Sequence, residues 1–230
     1  MKINWIQLGV MSVAVWIGVN AADLKKVVEP KPFLEIKDKP VLFELGECLY
    51  TSKFDETFKI STESTLNQLR FSSHNTDALY QVKNNTLFLD TGINHESTSY
   101  LYEFNEPKAE VSFSFYVFNM NSSQFDGFFY SKKADYVDFI TAKKQGEDGN
   151  VFLKLFQKTV TTKGSSSKKD EFTKIRLDFK SGQVALSVNG KKLEEVKDDR
   201  LNVTIDAIGF QLHEGRCQIR DIQIHLPKAK

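Results

Sequence analysis

The 230 residues carry 31 Lys and Arg against 30 Asp and Glu, a net charge of +1, so no whole-chain field draws this protein to nucleic acid or to an acidic membrane. Hydrophobic residues make up 40% of the chain, 19 of them Phe, enough for a core that folds alone. Four histidines, His74, His95, His213 and His225, show no metal-ligand spacing, and no glycine-rich nucleotide loop is present. These counts point away from a metal or cofactor.

In chain order, Met1 and Lys2 lead into an almost uncharged run, Ile3 to Gly18, closed by Val19-Asn20-Ala21. One cation, an apolar stretch and small residues before the cut read as a secretory signal peptide over 1–21, cleaved after Ala21. The run ends too early for a membrane span, which needs about 20 apolar residues, and no second one follows. The expected mature protein is secreted, extracellular and free of membrane insertion. Both tryptophans, Trp5 and Trp16, fall inside the removed segment.

Residues 22–40 hold Lys25, Lys26, Pro30, Pro32 and Pro40 without a period and read as an extended lead-in, with Lys25-Lys26 a possible dibasic processing site. A single domain is expected over 41–230, a size that suits one β-sandwich. Period-two alternation with β-branched and aromatic residues dominates it. Strands are expected at 41–45, 57–61, 79–82, 86–90, 99–104, 111–118, 127–130, 136–140, 151–157, 172–179, 204–210 and 218–224, with one helical turn or two around Ser64 to Leu69. In Phe172 to Phe179, Ile175, Leu177 and Phe179 alternate with Lys174, Arg176 and Asp178, the pattern of a strand with one wet face. Lys180-Ser181-Gly182 then turns the chain into Val184, Leu186 and Val188, and Asn189-Gly190 supplies the positive φ of a tight hairpin before Leu193 and Val196. So many short strands with turn punctuation predict an all-β fold, a two-sheet antiparallel sandwich.

Cys48 and Cys217 are the only cysteines. In an oxidising compartment the even count favours a disulfide between them, stapling the first and last strands. A catalytic thiol, with His213 four residues from Cys217, is the alternative. Asn84, Asn121 and Asn202 each open an Asn-x-Ser/Thr sequon, the mark of exposed turns in a glycoprotein. Lysine pairs such as Lys132-Lys133, Lys143-Lys144 and Lys191-Lys192 read as solvated surface, or as an anionic-glycan patch if the fold gathers several on one face.

Two stretches resemble a known superfamily. Ala78 to Asp90, strand, polar turn and apolar strand, resembles the early hairpin of concanavalin A-like jelly rolls. Ile175-Arg176-Leu177, Val188-Asn189-Gly190-Lys191, Ile205 to Phe210 and Ile219-Arg220-Asp221-Ile222 are similar to the final sheet of galectin-type and laminin-G-like modules. The resemblance implies a jelly roll, and that fold serves lectins, glycosidases and adhesion modules alike. A galectin-type sugar site would set a histidine, asparagine and arginine beneath a tryptophan. Here His74-Asn75 lacks a nearby arginine, and the mature chain lacks tryptophan.

Asp126-Gly127-Phe128-Phe129 resembles the aspartate-glycine-aromatic segment of legume-type lectins, which implies Asp126 as an acceptor for sugar hydroxyls. The acidic metal motif expected downstream is broken at Val137-Asp138-Phe139-Ile140-Thr141. Three consecutive aromatics, Phe128-Phe129-Tyr130, cannot all face one sheet interior, so Asp126, Gly127, Phe128 and Tyr130 form the candidate ligand site. Retaining glycosidases need two carboxylates about 5 Å apart. Asp135 and Asp138 have opposite strand parity, and Glu194-Glu195 lies in a lysine-rich edge. The reading is therefore a binding protein without catalytic residues, metal or cofactor. Its partner is a glycan or, alternatively, an extracellular protein held by a sheet face; a glycosidase ranks third.

Overall fold

The computed structural model describes residues 36, 41–54, 63–66, 69–73, 79–90, 98–119, 124–134, 140–145, 149–156, 158–160, 165–166 and 171–229. The expected signal peptide, nearly all of the lead-in, the strand at 57–61, His74, His95, Asn121, Asp135 and Asp138 lie outside them. The folded unit that holds every described residue spans Phe33–Lys230.

Alternating apolar residues drive the chain into two sheets. The first has eight strands among the described residues, in the order β15 (Lys191–Lys197), β14 (Gln183–Val188), β13 (Thr173–Lys180), β7 (Glu110–Asn119), β17 (Arg216–Pro227), β5 (Thr86–Asp90) and β4 (Leu79–Lys83), with β1 (Leu45–Thr51) also on β17. The second has nine: β11 (Lys158–Thr159), β10 (Asn150–Leu155), β9 (Ile140–Gln145), β8 (Gln124–Tyr130), β16 (Ile205–Glu214), β6 (Thr98–Lys108), β3 (Leu69–Ser73) and β2 (Glu63–Leu66), with β12 (Ser165–Ser166) beside β10. Every pairing is antiparallel. The fold is the expected jelly-roll sandwich.

The inward residues of the two sheets meet in an aromatic core. Phe113 of the first sheet lies 6.5 Å, ring centre to ring centre, from Phe129 of the second, Phe115 lies 5.4 Å from Phe125, and Phe179 lies 5.9 Å from Phe129. Burying rings of this size supplies much of a sandwich's stability. Two hairpin turns follow from residue type. Asn189 and Gly190 take φ of 50° and 75°, and Asn84 and Asn85 take 51° and 56°, left-handed values that asparagine and glycine tolerate best.

Four expectations fail. The described residues of the Ser64 to Leu69 segment are not helical: they belong to β2 and β3, which pair with Thr65 opposite Arg70, while β3 adds to β6 with Arg70 opposite Leu101. A ladder on the sheet edge satisfies its backbone better than one isolated helical turn could. Nor is 41–45 a strand; pairing begins at Leu45.

The outer face of β13 is not wet either. Lys174, Arg176 and Asp178 are only 7%, 2% and 0% exposed, because the chain ahead of β1 lies across them. Lys174 Nζ donates to Ile36 O at 2.9 Å, the Tyr116 hydroxyl accepts from Ile36 N at 2.9 Å, and Asp178 Oδ2 accepts from Leu42 N at 3.3 Å. Arg176 grips Asp178 through Nε and Nη2 at 2.7 and 2.8 Å and reaches Phe43 O at 3.5 Å.

The expected staple is also overturned, since both thiols are free. Cys48 stands opposite His225, whereas Cys217 lies eight residues earlier on β17, opposite Leu89. At about 3.3 Å per residue the two are roughly 26 Å apart, far beyond the ~7 Å that a disulfide spans between Cα atoms. Cys48 is exposed, and Cys217 is wholly buried in the core. Burial pushes the Cys217 thiol far above its ordinary range, which removes the thiolate that nucleophilic chemistry requires. Native protein should therefore add one alkyl group, at Cys48, and a second only in denaturant. Intact mass without reductant reads this directly, and no adduct in denaturant would restore the bond.

Candidate functional site

The chain at Ile36 and Val41 to Phe43 covers the outer face of the eight-stranded sheet over β13 and β7, and the candidate site stands on the outer face of the nine-stranded sheet. On β8, Gln124, Asp126, Phe128 and Tyr130 share that face by alternation. The register sets Lys143 of β9 opposite Asp126 on one side and Gln211 of β16 on the other. Asp126 Oδ2 accepts from Gln124 Nε2 at 3.2 Å and lies 2.8 Å from His213 Nε2. The Asp126 side chain is 13% exposed and that of His213 34%. Asp126 Oδ1 is buried and has no hydrogen-bond partner among the described residues. A carboxylate oxygen in that condition is a strong acceptor waiting for a donor.

The other expected site residues separate. Gly127 points inward, and a Cβ there would sit 2.6 Å from the Phe115 ring; it is a packing glycine, removed from any surface site by strand parity. Phe128 faces outward but is only 7% exposed, because its ring lies over Gly209, where a Cβ would stand 2.6 Å from the ring. Tyr130 is half-buried opposite Ala207, roughly 13 Å along the strand from Asp126. Of the four, Asp126 keeps the polar partners of a site.

Sequence reasoning did not place His213, Gln211, Lys143 or Phe152 at the Asp126 site. Phe152 of β10 stands opposite Lys143 and is half-buried. Its signal was the alternation of Val151, Leu153 and Leu155, which turns Phe152 and Lys154 outward. Burial holds the Lys143 ammonium below its ordinary range; the Asp126 carboxylate opposes that shift and the charge of Lys154 adds to it. No group of three or more potential metal ligands occurs among the described residues. Asn84 is exposed at its hairpin turn, and Asn202 is exposed after a short 3-10 turn, Asp199–Leu201. A separate open cleft of about 420 Å³ lies beside β1 and β6, lined by Leu49, Tyr102, Glu103, Phe104, Asn105 and Lys108.

No protein-family model matches the chain, and no curated protein matches it in sequence. Solved structures match its fold. A protein of unknown function with a galectin-like fold from Bacillus subtilis aligns over 82% of this chain and 100% of its own, with a TM-score of 0.54 and 12% identity. The exoplasmic/lumenal domain of VIP36 in its Ca2+/Man2-bound form aligns over 72% of this chain and 83% of its own, with a TM-score of 0.51 and 7% identity. A sialidase aligns over 68% of this chain at a TM-score of 0.55 and 10% identity, yet this chain spans only 17% of the sialidase. The likeness is one of fold alone, a β-sandwich like the galectin-like fold of the Bacillus subtilis protein.

Proposed function

We propose that this protein is a secreted, non-catalytic glycan-binding module whose sugar site is the Asp126 face of the nine-stranded sheet. The observation that carries the reading is the buried Asp126 Oδ1 without a partner, set among Gln124, Gln211 and His213. Sugar hydroxyls are the donors such a cluster lacks. The carboxamides on either side can both donate to and accept from the same hydroxyls. A structural neighbour, VIP36, is bound to Ca2+ and Man2, which supports a carbohydrate on this fold. Against a protein partner held by the opposite sheet stands the chain that already covers that face over β13.

A glycan array probed with and without calcium identifies the ligand class. Calorimetry then tests the site. Asp126→Ala should weaken the best array ligand at least tenfold, since hydrogen bonds to a charged group contribute about 1.5–3 kcal/mol. The denaturation midpoint should move little, because the pair to the partly exposed His213 adds about 1 kcal/mol or less. Equal affinity of wild type and variant would remove the Asp126 face and turn attention to the Tyr102–Asn105 cleft.

A further inference from the structure

One of the lysine pairs does not act as a pair. In Lys143-Lys144, alternation splits the two side chains between the faces of β9: Lys144 is buried at 1% exposure, and Lys143 stands outward beside Asp126. Its companion on the outer face is Lys154 of β10. Lys143 is opposite Phe152, and Lys154, two residues further on, is opposite Thr141. The two ammonium-bearing residues are thus diagonal neighbours on one face, a relation that places Cβ atoms about 7–8 Å apart in an antiparallel pair. The half-buried Phe152 shares that face, opposite Lys143 and two residues before Lys154 on β10.

Neither lysine makes a hydrogen bond or ion pair with any described residue. Asp126, across the strand pair from Lys143, already gives Oδ2 to His213 and Gln124. Two like charges held close, both half-buried, repel each other and lose solvation, costs that an anion between them would offset. The depressed Lys143 ammonium reflects burial first, and the charge of Lys154 adds a smaller push in the same direction.

We infer that the site takes an acidic glycan, with a sugar carboxylate or sulfate between Lys143 and Lys154, an apolar sugar face on Phe152, and hydroxyls of the neighbouring sugar on Asp126 and Gln211. This inference rests on the glycan reading of the same face. The span fits a short oligosaccharide crossing the strands, since β8 and β10 are two strand spacings, roughly 10 Å, apart. A neutral glycan would bring no charge to offset the repulsion between the two lysines, of which only Lys143 has a described carboxylate, Asp126, opposite it. Nucleic acid fits less well, because 30 acidic residues balance the 31 basic ones and exclude a broad phosphate-binding field.

The test titrates the secreted chain against polygalacturonate, heparin and a neutral mannan at about physiological ionic strength, with salt as the second variable. An acidic polymer should bind at least tenfold more tightly than mannan and weaken as salt rises. Binding to polygalacturonate assigns the anion as carboxylate; binding to heparin alone assigns it as sulfate. Lys143→Gln and Lys154→Gln, separately and together, should each weaken acidic binding severalfold with unchanged thermal midpoints, while Lys191→Gln, an exposed lysine on the other sheet, should leave it intact. An equal loss in Lys191→Gln would show diffuse charge attraction and overturn the inference. Binding of mannan with indifference to both lysine variants would overturn it while leaving the glycan reading in place. Silence on all three polymers and on the array would remove both.

Discussion

Asp178→Ala should lower stability by about 3–5 kcal/mol, because it leaves the Arg176 guanidinium buried without its counter-charge. Arg176 and Asp178 are 2% and 0% exposed and joined by two bonds of 2.7 and 2.8 Å. Their surroundings across the ladder are short hydroxyl side chains: Ser114 and Ser187 flank Arg176, and Ser112 flanks Asp178. These cannot neutralise a cation. The loss should come from the buried charge that loses its carboxylate more than from the vanished bond, and a double variant separates the two. Arg176→Met with Asp178→Leu should recover most of the stability, since removing both charges removes the desolvation cost as well. The Leu42 amide gives a local readout: it donates to Asp178 Oδ2 and should exchange faster with solvent in Asp178→Ala. A denaturation midpoint near wild type would mean that the outer face of β13 is open to water.

That same strand shows what a sequence can and cannot disclose. The alternation in Phe172 to Phe179 correctly separated its two faces, because side-chain period is a property of the strand itself. It could not disclose that Lys174, Arg176 and Asp178 would be covered, since the cover comes from residues some 130 positions away. Asn189-Gly190 was legible for the opposite reason: a two-residue turn is written entirely in local φ preferences. Cysteine count favoured a bond that register forbids, and register is set by how β1 and β5 share the length of β17. The candidate site divides in the same way. Asp126 was visible as a carboxylate beside aromatics on one strand. His213, Gln211 and Lys143 join it from β16 and β9, and the partners of a middle strand are fixed only by topology. Phe152 was visible in principle, once the apolar phase of β10 is carried through to its outward residues.

Gly209→Ala should lower stability by about 3 kcal/mol, the upper part of the range for overpacking a filled site. Gly209 sits mid-strand in β16, with Phe128 of β8 on one side and Leu101 of β6 on the other. A Cβ there would collide with the backbone carbonyl oxygen of Tyr100 and stand 2.6 Å from the Phe128 ring. The ring could swing away; the carbonyl belongs to the β6 ladder and could move only by parting β6 from β16. Two consequences follow for the site. Phe128, displaced from the space over Gly209, would become a solvent-exposed aromatic beside Asp126, and Gln211, two residues along β16, would lose its alignment with Asp126. Glycan binding should therefore weaken together with the midpoint. Adding Phe128→Leu to Gly209→Ala should restore part of the stability by relieving the ring clash, but not the share due to the carbonyl. Full recovery in the double variant would show that the backbone contact at Tyr100 is loose, and that the close approach of β6 to β16 does not depend on a glycine.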